Sequence, residues 1–394
     1  MITRPRADVP TVDGDLYGPS ALEDSTELFT RIRDAGPVVW LPRHRMWAIG
    51  RFADVRAALR DDERFVSGDG VAANPIANRA GRLTTLSSDQ EVHVRRRKVL
   101  MQSLGAKALG PIEGTLGAQA ERIVDARLDG RPFDAVADLA AGLPVSVVAD
   151  LVGVRVDSDQ LLGWAAGTFN ALGPANRRTI ATLRGSLGLL RYTRGLSRDK
   201  VVPDSWASSV FDAADRGEIS AAEARTMVID FVAPSLDTTI LATTHLLWLL
   251  ARHPDRWQQI RDEPELIPAA VVEAVRLASP IRGFTRRVAQ DTEIEGTRLR
   301  AGDRVALLFA AANLDPRQFP DPERFDLERP KGAHLGWGNG AHTCVGIHLA
   351  KLEMRALLGA MVPRVQAIHV ETPKRLRNNT LQGISSMTAT IERA

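Results

Sequence analysis

Between Ser220 and Arg252 an apolar pattern runs at helical spacing, opened by Ser220 and Glu223 as a capping box and stopped by His253-Pro254. About 32 residues at 1.5 Å each make a rod of ~48 Å, long enough to cross a whole domain. Any fold for this chain must wrap its other elements around that rod. Pro234 sits near its middle, where the ring removes one backbone donor and clashes with the carbonyl of Asp230, so a kink is expected. Alone, such a proline marks only a tolerated kink. The next residues, Leu236-Asp237-Thr238-Thr239, add an acid and hydroxyls within a turn of the distortion. A polar, distorted turn in a buried helix suggests a site.

The rest of the chain reads as helix with two β-type regions. Pro37 to Gly50 holds two short β runs around a turn, followed by helical spacing from Phe52 to Leu59. Asp291 to Leu308 alternates polar and apolar residues and is broken by Gly296 and Gly302, which suits strands joined by tight turns. The expected fold class is mostly α with a minor, segregated β-sheet. No internal repeat or linker is visible, so residues 1–394 are expected to form one domain with a short flexible N-terminus of about 15 residues.

Charge and composition exclude several functions. The 51 Lys and Arg against 48 Asp and Glu give +3, with the arginines interleaved among acids, so no nucleic-acid partner is implied. The first 15 residues contain no apolar signal core, and the apolar stretch from Ile240 to Leu250 falls short of the ~20 residues a bilayer needs. A cytoplasmic protein without a membrane anchor is expected. One cysteine, Cys344, rules out an intrachain disulfide framework and any site built from several thiolates.

That cysteine lies in Gly336-Trp337-Gly338-Asn339-Gly340-Ala341-His342-Thr343-Cys344-Val345-Gly346, just before a helical run from Ile347 to Leu358. Three glycines within five residues demand unusual backbone angles or a ligand close to the main chain. A cysteine at a helix N-terminus also gains from the dipole, which favours thiolate.

The loop resembles the haem-ligand loop of the cytochrome P-450 superfamily, Phe-Gly-x-Gly-x-His-x-Cys-x-Gly, matching every fixed position except the first, which is Trp337. Other family motifs follow in order. Glu273-Ala274-Val275-Arg276 matches Glu-x-x-Arg, and Asp321 to Phe325 resembles the meander, so Glu273, Arg276 and Arg324 would form a structural triad, with Arg317 as a rival for the third place. The resemblance implies haem b as cofactor, with Cys344 on the iron. His93, Arg97, Arg286 and His342 would hold the haem carboxylates, and Trp337, Gly338 and Gly346 would shape the ligand loop. Asp237 and Thr238 match the family's acid–alcohol pair, which delivers protons to the oxygen side. Two departures stand out: Ser235 replaces a glycine in the oxygen groove, and the indole of Trp337 could donate toward the thiolate.

Within the superfamily the chain is similar to bacterial O-demethylases of para-methoxybenzoates. The resemblance places Phe169, Leu172, Ala233, Ile281, Phe284, Ile384 and Ser385 around a small, aromatic substrate. That group's carboxylate anchor does not carry over, because Ile229, Asp230 and Ala233 stand in its place; Arg79 or Arg82 could substitute. Implied is a monooxygenase for hydroxylation or O-demethylation, drawing electrons from an external ferredoxin and its reductase, since the chain has neither a flavin motif nor cysteines for a cluster. Arg95, Arg96, Lys98, Lys331, Lys351 and Arg355 would form a basic rim for that partner. Three alternatives stay open: oxidative tailoring of a larger natural product, a non-catalytic haem-thiolate gas sensor, and an enzyme using Cys344 as nucleophile with His342 as base.

Overall fold

A computed structural model describes residues 9–330 and 334–394. Its axis is the helix Ala221–Arg252, with Ser220 as N-cap; the Ser220 and Glu223 side chains cap each other's backbone N–H as the sequence pattern requires. The helix continues through Pro234. Most of its length is buried, which its near-continuous apolar sequence demands. Helices Ser158–Ala171, Trp206–Asp215 and Ile267–Ala278 pack around it.

The β structure is segregated as expected. One sheet of five strands runs in the order Val39–Leu41, Met46–Ile49, Arg304–Leu307, Phe284–Val288, Phe65–Val66. Its pairs are antiparallel except the central one, where Trp47 lies opposite Val305 in a parallel ladder. Thr292–Ile294 and Thr297–Leu299 form a separate hairpin turning through Glu295 and Gly296, both at positive φ. A three-stranded sheet pairs Thr388–Arg393 with Phe133–Asp134 and Val365–Val370.

The N-terminus differs from expectation. Residues 1–8 lie outside the described residues, but Val12 and Trp40 exchange backbone contacts, the Val12 N–H donating to the Trp40 carbonyl at 3.1 Å. Val12 is also buried in an apolar cluster with Phe29 and Ile32. Burying an apolar side chain and pairing the strand fastens this stretch, whose polar composition had read as loose.

A second correction concerns the triad. Arg276 grips both oxygens of Glu273, Nε donating to Oε2 at 2.8 Å and Nη2 to Oε1 at 2.7 Å, in a nearly water-free setting. The third member is Arg329, whose Nε donates to Glu273 Oε1 at 3.0 Å. Arg324 is exposed and contributes only its backbone carbonyl, 3.4 Å from Arg276 Nη2. The rival Arg317 is held by Asp315 and Asp34. The meander turns back after Arg324, so the later arginine is the one brought over Glu273. Through Arg276 the triad also grips the Asn313 carbonyl at 2.7 Å, and the Asn313 side chain accepts the Leu335 N–H at 2.7 Å. The triad is thereby wired to the start of the cysteine loop.

Candidate active site

The glycines of the cysteine loop have separate jobs. Gly338 and Gly340 both adopt φ +70°, and a Cβ on Gly340 would collide with the Leu59 carbonyl at the end of helix Phe52–Arg60. Arg60 ties this helix to the loop by donating to Asn339 Oδ1 at 2.9 Å. Arg97, on helix Gln90–Leu104, donates to the Thr343 carbonyl at 2.6 Å. Held from both sides, the loop turns the Cys344 thiol toward a cavity.

That cavity has about 1340 Å³ of atom-free space and a mainly apolar wall. It collects residues far apart in sequence: His93, Arg97, Phe169, Pro234, Ser235, Thr238, Ile281, Phe284, Arg286, Trp337, Gly338, His342, Cys344 and Gly346 all line it. Thr85, Leu86 and Ala242 also line it and had no role in the sequence reading, and so do Asp230 and Thr239, which the sequence had set at the missing carboxylate anchor and in the polar turn. Helical phase relative to Thr238 was the available signal for Ala242.

Four of the seven expected substrate contacts are elsewhere. Ala233 is buried in the main core, since its phase on the helix points it away from the Asp230–Pro234–Thr238 face. Ile384 is fully buried in the same core. The next residue on that strand, Ser385, points outward by the two-residue alternation and donates to the Lys374 carbonyl at 3.2 Å. Leu172 packs with Phe169, Leu241 and Leu381 behind the wall.

At one end of the cavity lies a cluster of donors. Arg286 is almost fully buried, and the imidazoles of His93 and His342 meet at a tilt of 42° with centroids 4.1 Å apart. Burial pushes His93 down to about 4, helped by His342 and Arg97, so this imidazole is neutral. Burial also lowers His342, against the pull of Asp89. Asp89 was missed by the sequence reading, although it stands four residues before His93. Burial alone would raise Asp89, but His342 and the N–H groups of Ser67 and Gly68 outweigh it and hold the carboxyl below its usual range. Burial lowers Arg286 to about 10, leaving it a cation at neutral pH.

The indole Nε1 of Trp337 is buried with no hydrogen-bond partner among the described residues, and the buried Nε2 of His342 has only Asp89 near it, at 3.7 Å. Buried polar groups are normally satisfied, so orphaned nitrogens in a cavity wall mark where a ligand fits. A flat apolar macrocycle with two carboxylates suits this cavity: Arg97 and Arg286 would supply charge, His93 and His342 further polar groups, and Cys344 a soft sulfur ligand. The thiol is enclosed by protein, with its open face on the cavity. Burial raises its pKa, opposed by the Gly346 N–H and by Arg97, the two groups that would favour thiolate.

Thr238 donates its hydroxyl to the Pro234 carbonyl at 2.7 Å. Asp237 is one residue round the helix and does not line the cavity. Its carboxyl makes no hydrogen bond among the described residues, and burial raises it to about 7.

Of the expected basic rim, Arg96 is buried and bound to Glu223 at 2.9 Å, so it is not a surface cation. Arg95 is exposed but shares Glu223 at 2.7 Å. Lys98 and Arg355 are exposed and Lys351 is half-buried, while Lys331 lies outside the described residues.

A long buried helix beside a cavity that presents one cysteine and a cluster of carboxylate-binding donors defines the haem-thiolate class. A family model described as Cytochrome P450 matches residues 204–391. The chain is 33% identical to cytochrome P450 CYP199A2 of Rhodopseudomonas palustris, over 97% of this chain and 94% of that one. It is 29% identical to linalool 8-monooxygenase of Pseudomonas putida, over 96% and 97% of the two chains. The crystal structure of CYP108D1 from Novosphingobium aromaticivorans superposes with a TM-score of 0.83 at 27% identity, covering 95% and 97%. The chain belongs to the cytochrome P450 family and is a monooxygenase with haem b as its cofactor. No helix among the described residues is long and apolar enough to cross a membrane.

Proposed function

We propose that this cytochrome P450 acts as one catalytic domain in the cytoplasm, inserting one oxygen atom of O2 into a small aromatic substrate by hydroxylation or O-demethylation. Electrons come from an external ferredoxin and its reductase. The observation that carries the substrate class is the wall formed by Phe169, Ile281 and Phe284 on the same cavity as Cys344 and Thr238. Phe284 is braced edge-on by Phe309 with centroids 5.9 Å apart, so it offers a fixed aromatic face to a flat ligand.

Bound haem supplies O2 activation and oxygen transfer, with the Cys344 thiolate donating electron density to the iron. The other steps fall to the chain's side chains. Arg97, Arg286, His93 and His342 bind the haem carboxylates and fix the macrocycle. Thr238 holds a hydroxyl proton at the cavity wall through its bond to the Pro234 carbonyl. Asp237, raised to about 7, holds or releases a proton near neutral pH and stands next to Thr238, so protons reach the cavity by way of that hydroxyl or a water. Lys98, Lys351 and Arg355 give an acidic ferredoxin a basic face beside the cysteine-loop helix.

The test has two stages. The reduced, carbon-monoxide-bound spectrum of wild type should show the red-shifted Soret band and Cys344→Ser should lack it; no band in haem-loaded wild type sinks the thiolate assignment. Titration with a panel of methoxyarenes should then shift the haem spin state, and silence across the panel removes the aromatic substrate.

A further inference from the structure

The cavity wall carries one acid that the reaction described above does not use. Asp230 stands four and eight residues before Pro234 and Thr238, a spacing that puts all three on one face of the central helix, and all three line the cavity. Asp230 Oδ2 accepts the backbone N–H of Thr85 at 2.9 Å. The Thr85 hydroxyl also lies on the carboxyl side of this contact, and Asp230 accepts no other side-chain hydrogen bond among the described residues while lining the cavity. Burial raises the carboxyl to about 6, opposed by Thr85 and by the more distant Arg96. Arg96 is itself engaged by Glu223 at 2.9 Å and by the Thr84 carbonyl at 3.0 Å, so it cannot swing in to neutralise Asp230.

Among the described residues, the only cations lining the cavity are Arg97 and Arg286. Arg79 and Arg82, the two side chains that could have anchored one, are exposed and do not line the cavity. Arg97 and Arg286 belong to the opposite task of holding the haem carboxylates.

We propose that Asp230 is the specificity-determining acceptor of the substrate pocket, binding the polar end of a substrate that carries an uncharged hydroxyl donor and disfavouring the isosteric carboxylate. The aromatic body of that substrate rests on the reading given under Proposed function; the head-group preference rests on Asp230. An acceptor left empty in an apolar cavity is costly, and a hydroxyl restores its missing bond. A carboxylate in the same place would set two like charges together with little water between them. Eight residues of helix separate Asp230 from Thr238 by about 12 Å, so a ligand whose hydroxyl sits on Asp230 presents its far end to the reacting centre.

The experiment uses the haem-loaded full chain and follows the Soret spin-state shift. 4-Methoxybenzyl alcohol and 4-methoxybenzoate differ at the head group alone. Wild type should bind the alcohol on the order of tenfold to a hundredfold more tightly, the range of one charge-assisted hydrogen bond. Asp230→Asn keeps an acceptor for the Thr85 N–H and should largely abolish the difference, and Asp230→Leu should do the same with weaker alcohol binding. An unchanged carbon-monoxide spectrum in both variants establishes intact haem sites. Benzoate binding as tight as the alcohol in wild type overturns the proposal, as does a preference that survives Asp230→Asn. If neither arene binds, the pair 1-decanol and decanoate is titrated. An Asp230-dependent preference there upholds the acceptor while sinking the aromatic reading, and no preference in either pair overturns it.

Discussion

The backbone N–H of Cys344 donates to the carbonyl of Trp337 at 2.8 Å, closing the loop so that the thiol and the indole share one stretch of cavity wall. The indole N–H is buried and has no hydrogen-bond partner among the described residues. A donor beside an axial thiolate withdraws electron density from it and raises the iron potential. Trp337→Phe, which restores the residue of the family's pattern, should therefore make the haem reduction potential more negative while preserving the carbon-monoxide Soret band. Spectroelectrochemical titration reads the shift, and an unchanged potential would mean the indole does not act on the ligand.

Arg329, Arg276 and Arg324 should separate cleanly in stability. Removing one partner of a buried ion pair leaves an uncompensated charge, so Arg276→Ala should cost about 3–5 kcal/mol. Arg329→Ala leaves Glu273 with Arg276 and should cost about 1–3 kcal/mol. Arg324→Ala, exposed and using only its main chain, should stay within about 0.5 kcal/mol. Denaturant unfolding of the three variants checks the order, and equal losses at Arg324 and Arg329 would contradict the geometry.

Asp237 predicts a pH dependence of stability. Its folded carboxyl is raised from 3.8 to about 7 by burial. Below about pH 4 the acid is protonated in both states and the fold keeps its full stability. As pH rises toward 7 the unfolded chain binds fewer protons than the folded one, and stability falls. Asp237→Asn should thus be nearly neutral at pH 4 and stabilising at pH 8, by about 2–4 kcal/mol. The same variant should slow kcat on the order of a hundredfold through lost proton delivery, with KM little changed. A pH-independent stability effect would show that the carboxyl is ionised in the folded protein.

Glu353, on the helix after the cysteine loop, buries both carboxyl oxygens without a hydrogen-bond partner among the described residues, and burial raises its pKa well above the usual range. Glu353→Met should raise stability at neutral pH by about 1–3 kcal/mol, since it removes an unsatisfied polar group from a packed core. A lower melting temperature in the variant would mean a partner satisfies the acid.

Charge reversal on the basic face should act on electron transfer. Lys98→Glu and Lys351→Glu should each slow reduction by a ferredoxin, on the order of tenfold at low ionic strength, with the deficit shrinking as salt rises. Arg95→Glu is a poorer probe, because it also breaks the link to Glu223. Stopped-flow reduction rates across a salt series decide, and rates equal to wild type would move the docking surface elsewhere.

The sequence by itself determined the chemistry and the long-range framework. Cys344 with its glycines and the capped helix from Ser220 were legible from local spacing and residue type, while Glu273 with Arg276 and the places of His93, Arg97, Arg286 and His342 came through the family resemblance. The tertiary structure decided what depends on phase and on chain reversal. Ala233 and Asp230 are three residues apart on one helix, yet only the side chain of Asp230 reaches the cavity, because a turn of 3.6 residues rotates their directions apart. Ile384 and Ser385 fail as pocket residues for the analogous reason on a strand, where burial is set by the neighbouring sheet. Arg329 displaced Arg324 because the meander folds back before it meets Glu273, a path no local pattern encodes. The place of Asp230 in the cavity wall is likewise a property of packing, since only the folded chain brings Thr85 to its carboxyl.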